Sequence, residues 1–457
     1  MVTDKKELFE KIPVPKALAS LAIPTIISQL ISLVYNMVDA VFIGRTGNSY
    51  MIAATTLTLT LVMLNITFSN LFGVGGGSLI ARLMGADKHD EAKSVSAYSL
   101  YGALFTAIAY SLLIGVFLDP LLILLGASSD TLEYARQYSI YVIVIGAIPN
   151  ILSAVLSHLL RNVGCAKQAS IGLSSGGILN ILLDPLFMFV LLPDGYEVAG
   201  AAIATLLSNL FSCGYLLYAY AKAGKTAPLS LKFPDAKSIL PENRKKLFQV
   251  GIPSAVLTGL FDLANIILNL LCAAHNDLVL AAMGIVLKVN RIPNALNMGL
   301  SQGMLPIVAY NYASGNHERM HKTIRTARLW GLIFSAICIV LIEIFAAPVI
   351  RLFLDTSADD AETAMRTLSY ATVFLQIRIL AAPVQFLNYN SSYSLQAMGN
   401  GKATMIHAIV RELVFYIPFM FLLNIPAGPN GLAAALPLGE ACSAVFAIML
   451  VHRSTKK

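Results

Sequence analysis

Two aspartates sit where an ionised group is hardest to place. Asp184 lies inside the apolar run 168–192, with Asn180 four residues before it and Pro185 directly after. Asp39 lies late in the apolar run 18–43, behind Ser28, Ser32, Tyr35 and Asn36 at steps of three and four. In a helix such steps put each set on one face. A lone ionised carboxylate in mid-bilayer costs about 2.5–3.5 kcal/mol on insertion scales, so an acid kept there is a functional candidate by default. Pro185 brings no N–H and frees the carbonyl of Ile181. An acid, an amide and a freed carbonyl together make a cation site. If the first and fifth helices touch, Asp39 joins Asn180 and Asp184. Desolvation and like-charge repulsion then favour proton uptake by the pair. The same oxygens suit a sodium ion, in which case Asp39, Asn180 and Asp184 are metal ligands. Spacing does not choose between H+ and Na+. The competing reading makes Asp39 a solvated helix end before Arg45, and Asp184 an outer-interface residue before Leu192, Pro193 and Asp194.

The second half is polar in another way. Its apolar runs carry Asp262, Asn265 and Asn269; Gln385, Asn388, Ser392 and Gln396 with Arg378; adjacent Arg411 and Glu412; and Glu440. With Tyr35 and Asn36, the residues Asp262, Asn265, Gln385, Asn388 and Glu440 are expected to line a substrate cavity. Hydrogen bonding between helices is the alternative for the amides, and structural pairing for Asp262 and Glu440. A mainly acidic lining suits cationic ligands, and the many methionines and aromatics suit a greasy, adaptable pocket. No phosphate-binding GxxxxGK[ST], HExxH or GxSxG motif occurs. An enzyme is therefore not expected, nor a cofactor beyond H+ or Na+ as coupling ion. The five cysteines are scattered without CxxC spacing and read as packing residues.

These residues need a membrane fold to position them. The chain is 57% hydrophobic and only 12% charged, about half the charge of a soluble domain. Apolar segments run over 18–43, 52–81, 95–117, 137–160, 168–192, 198–221, 247–273, 278–311, 329–347, 367–397, 403–423 and 431–451. Each is long enough to cross a bilayer, which takes about 20 residues. The expected fold is an all-α polytopic membrane protein of twelve transmembrane helices, in two pseudo-symmetric six-helix lobes around a central cavity. The lobes span 1–221 and 247–457, joined by a polar linker, 222–246, with seven basic residues. The run from Leu18 is too long for a cleaved signal core, and acids dilute the charge before it.

Positive charge sets an expected orientation. With the N-terminus inside, inner segments hold 24 of the 32 Lys and Arg, among them Arg82, Arg161, Arg319, Lys322, Arg325, Arg328, Lys456 and Lys457. Outer loops hold only Arg45, Arg136, Arg351 and Arg366, beside Asp355, Asp359, Asp360 and Glu362. Both termini are thus expected in the cytoplasm. The halves also repeat at a shift of roughly 230 residues: Ile23-Pro24 with Ile252-Pro253, Asn36 with Asn265, and Gly200-Ala201-Ala202 with Gly431-Leu432-Ala433. Six spans per half relate the copies by an axis along the membrane normal. Gly73-Val74-Gly75-Gly76-Gly77 inside the second span reads as close helix packing or a hinge.

The chain resembles the bacterial multidrug and toxic compound extrusion (MATE) transporters over nearly its whole length. The resemblance rests on Ile23-Pro24 with Val38 through Gly44, the Gly-rich second span through Ala86, Asn180 through Pro185, Gly200 through Thr205, and Gln302 through Tyr312. It implies two lobes in a V, rocking between outward- and inward-open states. It also implies export of cationic, lipophilic drugs or dyes against a flow of protons or sodium. Asp39, Asn180, Asp184 and Thr205 match the family's N-lobe ion-coupling site. Some relatives use acids in the seventh and tenth spans. Asp262 matches the first with a slight offset, and the tenth span offers only Gln385, Asn388 and Asn390. Rival readings are a lipid-linked precursor flippase of the same superfamily, or a passive channel or receptor. Expected partners are small cationic molecules and the lipid bilayer, with no nucleic acid. The chain is expected to work as a monomer in the plasma membrane.

Overall fold

Long apolar segments in lipid have one open-ended way to satisfy their backbone groups, the α-helix. The computed structural model describes residues 5–351 and 361–455, and no strand occurs among them. Asp355, Asp359, Asp360, Lys456 and Lys457 lie outside the described residues. Eight long helices run as single pieces: α1 (Val14–Arg45), α2 (Ser49–Gly85), α3 (His89–Val116), α5 (Ala166–Leu191), α6 (Glu197–Ala223), α7 (Pro241–Ala273), α8 (Asp277–Ala313) and α9 (His317–Arg351). Two more spans are bent. In α4, Ser129–Ile145 meets Ala147–Asn162 at 46°; in α10, Glu362–Ile379 meets Ala382–Ala397 at 47°. Each bend precedes a proline, Pro149 or Pro383, that fits the first turn of a new limb and cannot continue an old one.

The last continuous stretch, Gly401–Thr455, is two spans. Gly428 has φ 54° and ψ −134°, a conformation that glycine adopts freely. About that point the chain folds back on itself: Asn400 bonds Ser454, Arg411 pairs with Glu440, and Gly431 lies against Leu423. These limbs are α11 (401–427) and α12 (429–455), which brings the spans to twelve.

The two lobes repeat the same packing. In each, the first helix lies on the fifth, the second on the fourth, and the fourth on the sixth. Across the junction, α1 packs on α8 and α2 on α7, the exchange that a pseudo-twofold axis demands. The Gly-rich run of α2 makes this possible. A Cβ at Gly75 would sit 2.6 Å from the Leu247 carbonyl, and one at Gly251 would sit 2.1 Å from the Leu71 carbonyl. Close packing, the first of the two expected readings, is what the run does.

Among the described residues, the hydrogen bonds that join the lobes lie in the half of the bundle that carries the chain termini. They include Asn70 to Thr258 (2.9 Å), Asn243 to Glu91 (2.7 Å) and Arg82 to the Gln396 and Ala397 carbonyls (3.0 and 3.1 Å). The short helix Lys5–Glu10 is tied down there too. Arg319 donates to the carbonyls of Leu8, Phe9 and Ile12, and Phe9 stacks on Tyr310 with centroids 5.0 Å apart.

Candidate functional site

Asn180 and Asp184 share one face of α5, which is pressed between α1 and α6. Small residues allow the approach. A Cβ at Gly177 would meet the Tyr35 ring at 2.8 Å, and Ser212 of α6 donates to the Gly172 carbonyl at 2.9 Å. Asp184 is fully buried. Asn180 Nδ2 donates to Asp184 Oδ1 at 2.9 Å and lies 3.3 Å from Thr205 Oγ1 on α6. The other carboxylate oxygen, Asp184 Oδ2, is enclosed and has no protein partner among the described residues. Past Pro185 the helix widens into a π-helical turn, Phe187–Leu191. Such turns accompany functional sites.

Asp39 lies on α1, which packs on α5. It is half-buried, with Oδ1 enclosed and unpartnered among the described residues. Asp39 and Asp184 are within electrostatic range of each other, and Tyr35 and Tyr138 are within range of both. The structure thus brings Asp39, Asn180, Asp184 and Thr205 together in the N-terminal lobe, with Tyr35 at the edge. Tyr138 on α4 escaped the sequence reading. It stands where the polar stretch Ser129–Ser139 passes into the apolar run 137–160, and nothing in its spacing tied it to Asp39 or Asp184.

The expected polar stripe of α1 divides along its length. Ser28 turns to the lobe junction, where Arg161 Nη2 lies 3.5 Å away and Arg161 Nη1 donates to Gln302 Oε1 at 3.2 Å. Gln29 and Tyr393 complete this cluster through Gln302 at 3.3 and 3.2 Å. Arg161, counted above among loop charges, is 4% exposed and reaches back into the protein. Arg82 does likewise, supplying donors to the end of α10, whose last carbonyls lack partners within the helix. Asn36 is exposed and bonds the Ser32 carbonyl of its own helix at 2.6 Å. Asn265 does the same with Phe261 at 3.0 Å. Asp262 is half-buried within electrostatic range of Arg291.

The cavity assignment of Gln385, Asn388 and Glu440 is corrected. All three are buried inside the C-terminal lobe in a closed network around Arg411. Arg411 Nη2 pairs with Glu440 Oε1 at 2.6 Å, and its guanidinium lies 5.0 Å from the Tyr389 ring centroid. Asn388 donates to Glu440 Oε2 at 2.6 Å, and Gln385 to Oε1 at 3.4 Å. His407 joins Asn388 to Ser392 through its two ring nitrogens, at 3.0 and 2.8 Å. The reason is charge: a buried guanidinium must be paired and hydrogen-bonded, and these side chains do that. Cys442, expected to be a packing residue, is exposed on the outer face of α12.

Two six-helix membrane lobes that touch on one side, with two neighbouring acids within one of them, define a membrane transporter of the alternating-access class. The MatE family pattern matches residues 24–186 and 253–422, once in each lobe. The chain belongs to the MatE family. It is 30% identical over 445 residues to "Multidrug export protein MepA" of Staphylococcus haemolyticus (strain JCSC1435), covering 97% of this chain and 94% of that one. With the protein of the same name from Staphylococcus aureus (strain MRSA252), identity is 30% over 446 residues, covering 97% and 95%. The fold matches a multidrug resistance MATE family transporter of the MOP superfamily in its outward-facing conformation, with TM-score 0.90, 23% identity and full coverage of both chains. It also matches a MOP superfamily transporter from Pyrococcus furiosus, with TM-score 0.91, 22% identity and coverage of 100% and 98%.

Proposed function

We propose that this protein exports lipophilic cations across the plasma membrane, driven by protons that bind at Asp184 and Asp39. One observation carries the reading: Asp184 Oδ2 is sealed inside the N-terminal lobe without a hydrogen-bond partner among the described residues. A carboxylate oxygen so placed is stabilised by taking a proton. Asn180 turns its amide N–H rather than its oxygen toward Asp184 and Thr205, an arrangement that serves a protonatable acid better than a bare cation. Protonation removes the repulsion between the acids. It thereby changes how α1 sits on α5, and α1 also packs on α8 across the junction. A proton is in this way coupled to the rocking of the lobes.

Residues 1–221 and 247–457 are the moving lobes and 222–246 a cytoplasmic linker. With both termini in the cytoplasm, the contacts on the termini side close the inner entrance, and the conformation is outward-facing. Export is supported by the name of the relatives, which are 30% identical over nearly the full chain.

The test is efflux of a cationic dye from everted vesicles, with proton and sodium gradients imposed separately. Asp184→Asn and Asp39→Asn are expected to stay folded and lose export, and a sodium gradient alone should drive none. Wild-type export by Asp184→Asn would remove the site assignment. Export driven by sodium at equal pH on both sides would remove the proton.

A further inference from the structure

The termini side of the C-terminal lobe holds a cleft that its counterpart in the other lobe does not. In the N-terminal lobe the gap between α3 and α6 is filled by the linker. Leu229, Ser230 and Ala236 are buried there, Tyr101 donates to the Leu231 carbonyl at 2.7 Å, and Ser96 accepts from the Ser230 amide at 3.0 Å. Between α9 and α12 no described segment takes that place. The two helices instead wall a cavity of about 750 Å³, within the usual range for ligand sites.

Its lining is basic. His321, Arg325 and Arg328 recur at steps of four and three on α9, Lys322 stands beside them, and His452 faces them from α12. Glu318 is the one acid in the wall. No salt bridge to Lys322, Arg325 or Arg328 occurs among the described residues. Arg328 is held from the floor, where its Nε donates to the fully buried Asn390 at 2.9 Å, which fixes the guanidinium at the inner end of the cavity. Cations gathered with a single acid among them repel one another, and an anion relieves the repulsion.

The surroundings say which anion. Directly past Arg328 on α9 the surface becomes apolar: Leu329, Leu332 and Ile333 are exposed, as are Val445 and Met449 on α12. A basic recess below a lipid-facing apolar wall has the layout of a phospholipid, phosphate at the interface and acyl chains above it. We infer that the cleft between α9 and α12 binds the phosphate of an anionic phospholipid from the leaflet on the termini side.

The test uses delipidated full-length protein in detergent, titrated with phosphatidylglycerol, phosphatidylcholine or inorganic phosphate and read by native mass spectrometry. Phosphatidylglycerol is expected to bind in preference to phosphatidylcholine. Lys322→Gln/Arg325→Gln should weaken it about tenfold or more, a loss of about 1.4 kcal/mol or more. Arg325→Lys and the remote Lys245→Gln should bind as wild type. Both substituted residues are exposed, and unchanged melting without lipid shows that the fold is intact. Equal phosphatidylglycerol binding by Lys322→Gln/Arg325→Gln and wild type would overturn the site. Displacement of the lipid by an equal concentration of inorganic phosphate would overturn the lipid assignment.

Discussion

Removing Arg411 should unseat the C-terminal lobe more than any other single side chain. Its guanidinium reaches both oxygens of Glu440 through Nε at 3.1 Å and Oε1 through Nη2 at 2.6 Å, and lies 3.5 Å from Glu412. All three side chains are 3% exposed or less. Arg411→Met would leave two buried carboxylates without their cation, Glu440 keeping only Asn388 and Gln385 and Glu412 with no charged partner. Breaking a buried pair from one side costs about 3–5 kcal/mol. For a lobe of this size each kcal/mol moves the melting temperature by about 2–4 °C, so Tm should fall by about 10 °C. The assay is thermal unfolding in detergent, followed by the fluorescence of the single tryptophan, Trp330. Glu440→Leu alone should be destabilising too, and the double variant Arg411→Met/Glu440→Leu less so than the sum. A coupling of about 2 kcal/mol or more is expected, because packed apolar side chains can replace a buried pair at little cost. A Tm for Arg411→Met within about 2 °C of wild type, or additivity within about 0.5 kcal/mol, would refute the reasoning.

Other expectations follow from other contacts. Gly251→Val places bulk against the Leu71 carbonyl and should open the termini side. A cysteine at Thr258 should then label faster from that side, while export falls about tenfold or more; unchanged labelling would show that the approach is not needed for closure. Arg319→Gln removes donors to Leu8, Phe9 and Ile12, so amide exchange over 5–12 should quicken about tenfold or more, and unaltered exchange would mean that the helix is held by other contacts. In the short helix Leu118–Leu124 after α3, the Arg136 guanidinium of α4 holds the Asp119 carboxyl below the usual carboxylate range. A lowered pKa adds stability above the unfolded value, about 4, that is lost as pH falls through the folded one. The Tm difference between wild type and Asp119→Asn, small for so exposed a pair, should therefore shrink as pH falls below about 4.

Much of the site was legible because the membrane makes single polar residues conspicuous. An aspartate in a run such as 168–192 has few neutral explanations, and Asn180 and Asp184 needed only helical periodicity to share a face. The glycines of α2 were legible as packing for the same reason. Tyr138 was not, since a tyrosine closing a polar stretch looks the same in a loop as in a core. Gln385, Asn388 and Glu440 misled, because an amide or acid in an apolar run signals a partner without saying whether the partner is a substrate or Arg411.

The sequence by itself determined that the chain is a membrane bundle, how many spans it has, that its halves repeat, and which carboxylates are out of place in lipid. Those follow from local properties: apolar length, charge density and spacing along one strand of chain. Only the tertiary structure decided which polar groups meet. Whether Asp39 faces Asp184, whether Arg161 turns inward, and whether Glu440 meets a cavity or a guanidinium depend on how helices hundreds of residues apart rotate against one another. That rotation is set by glycine contacts and buried charge pairing across the lobes, which no window of sequence contains.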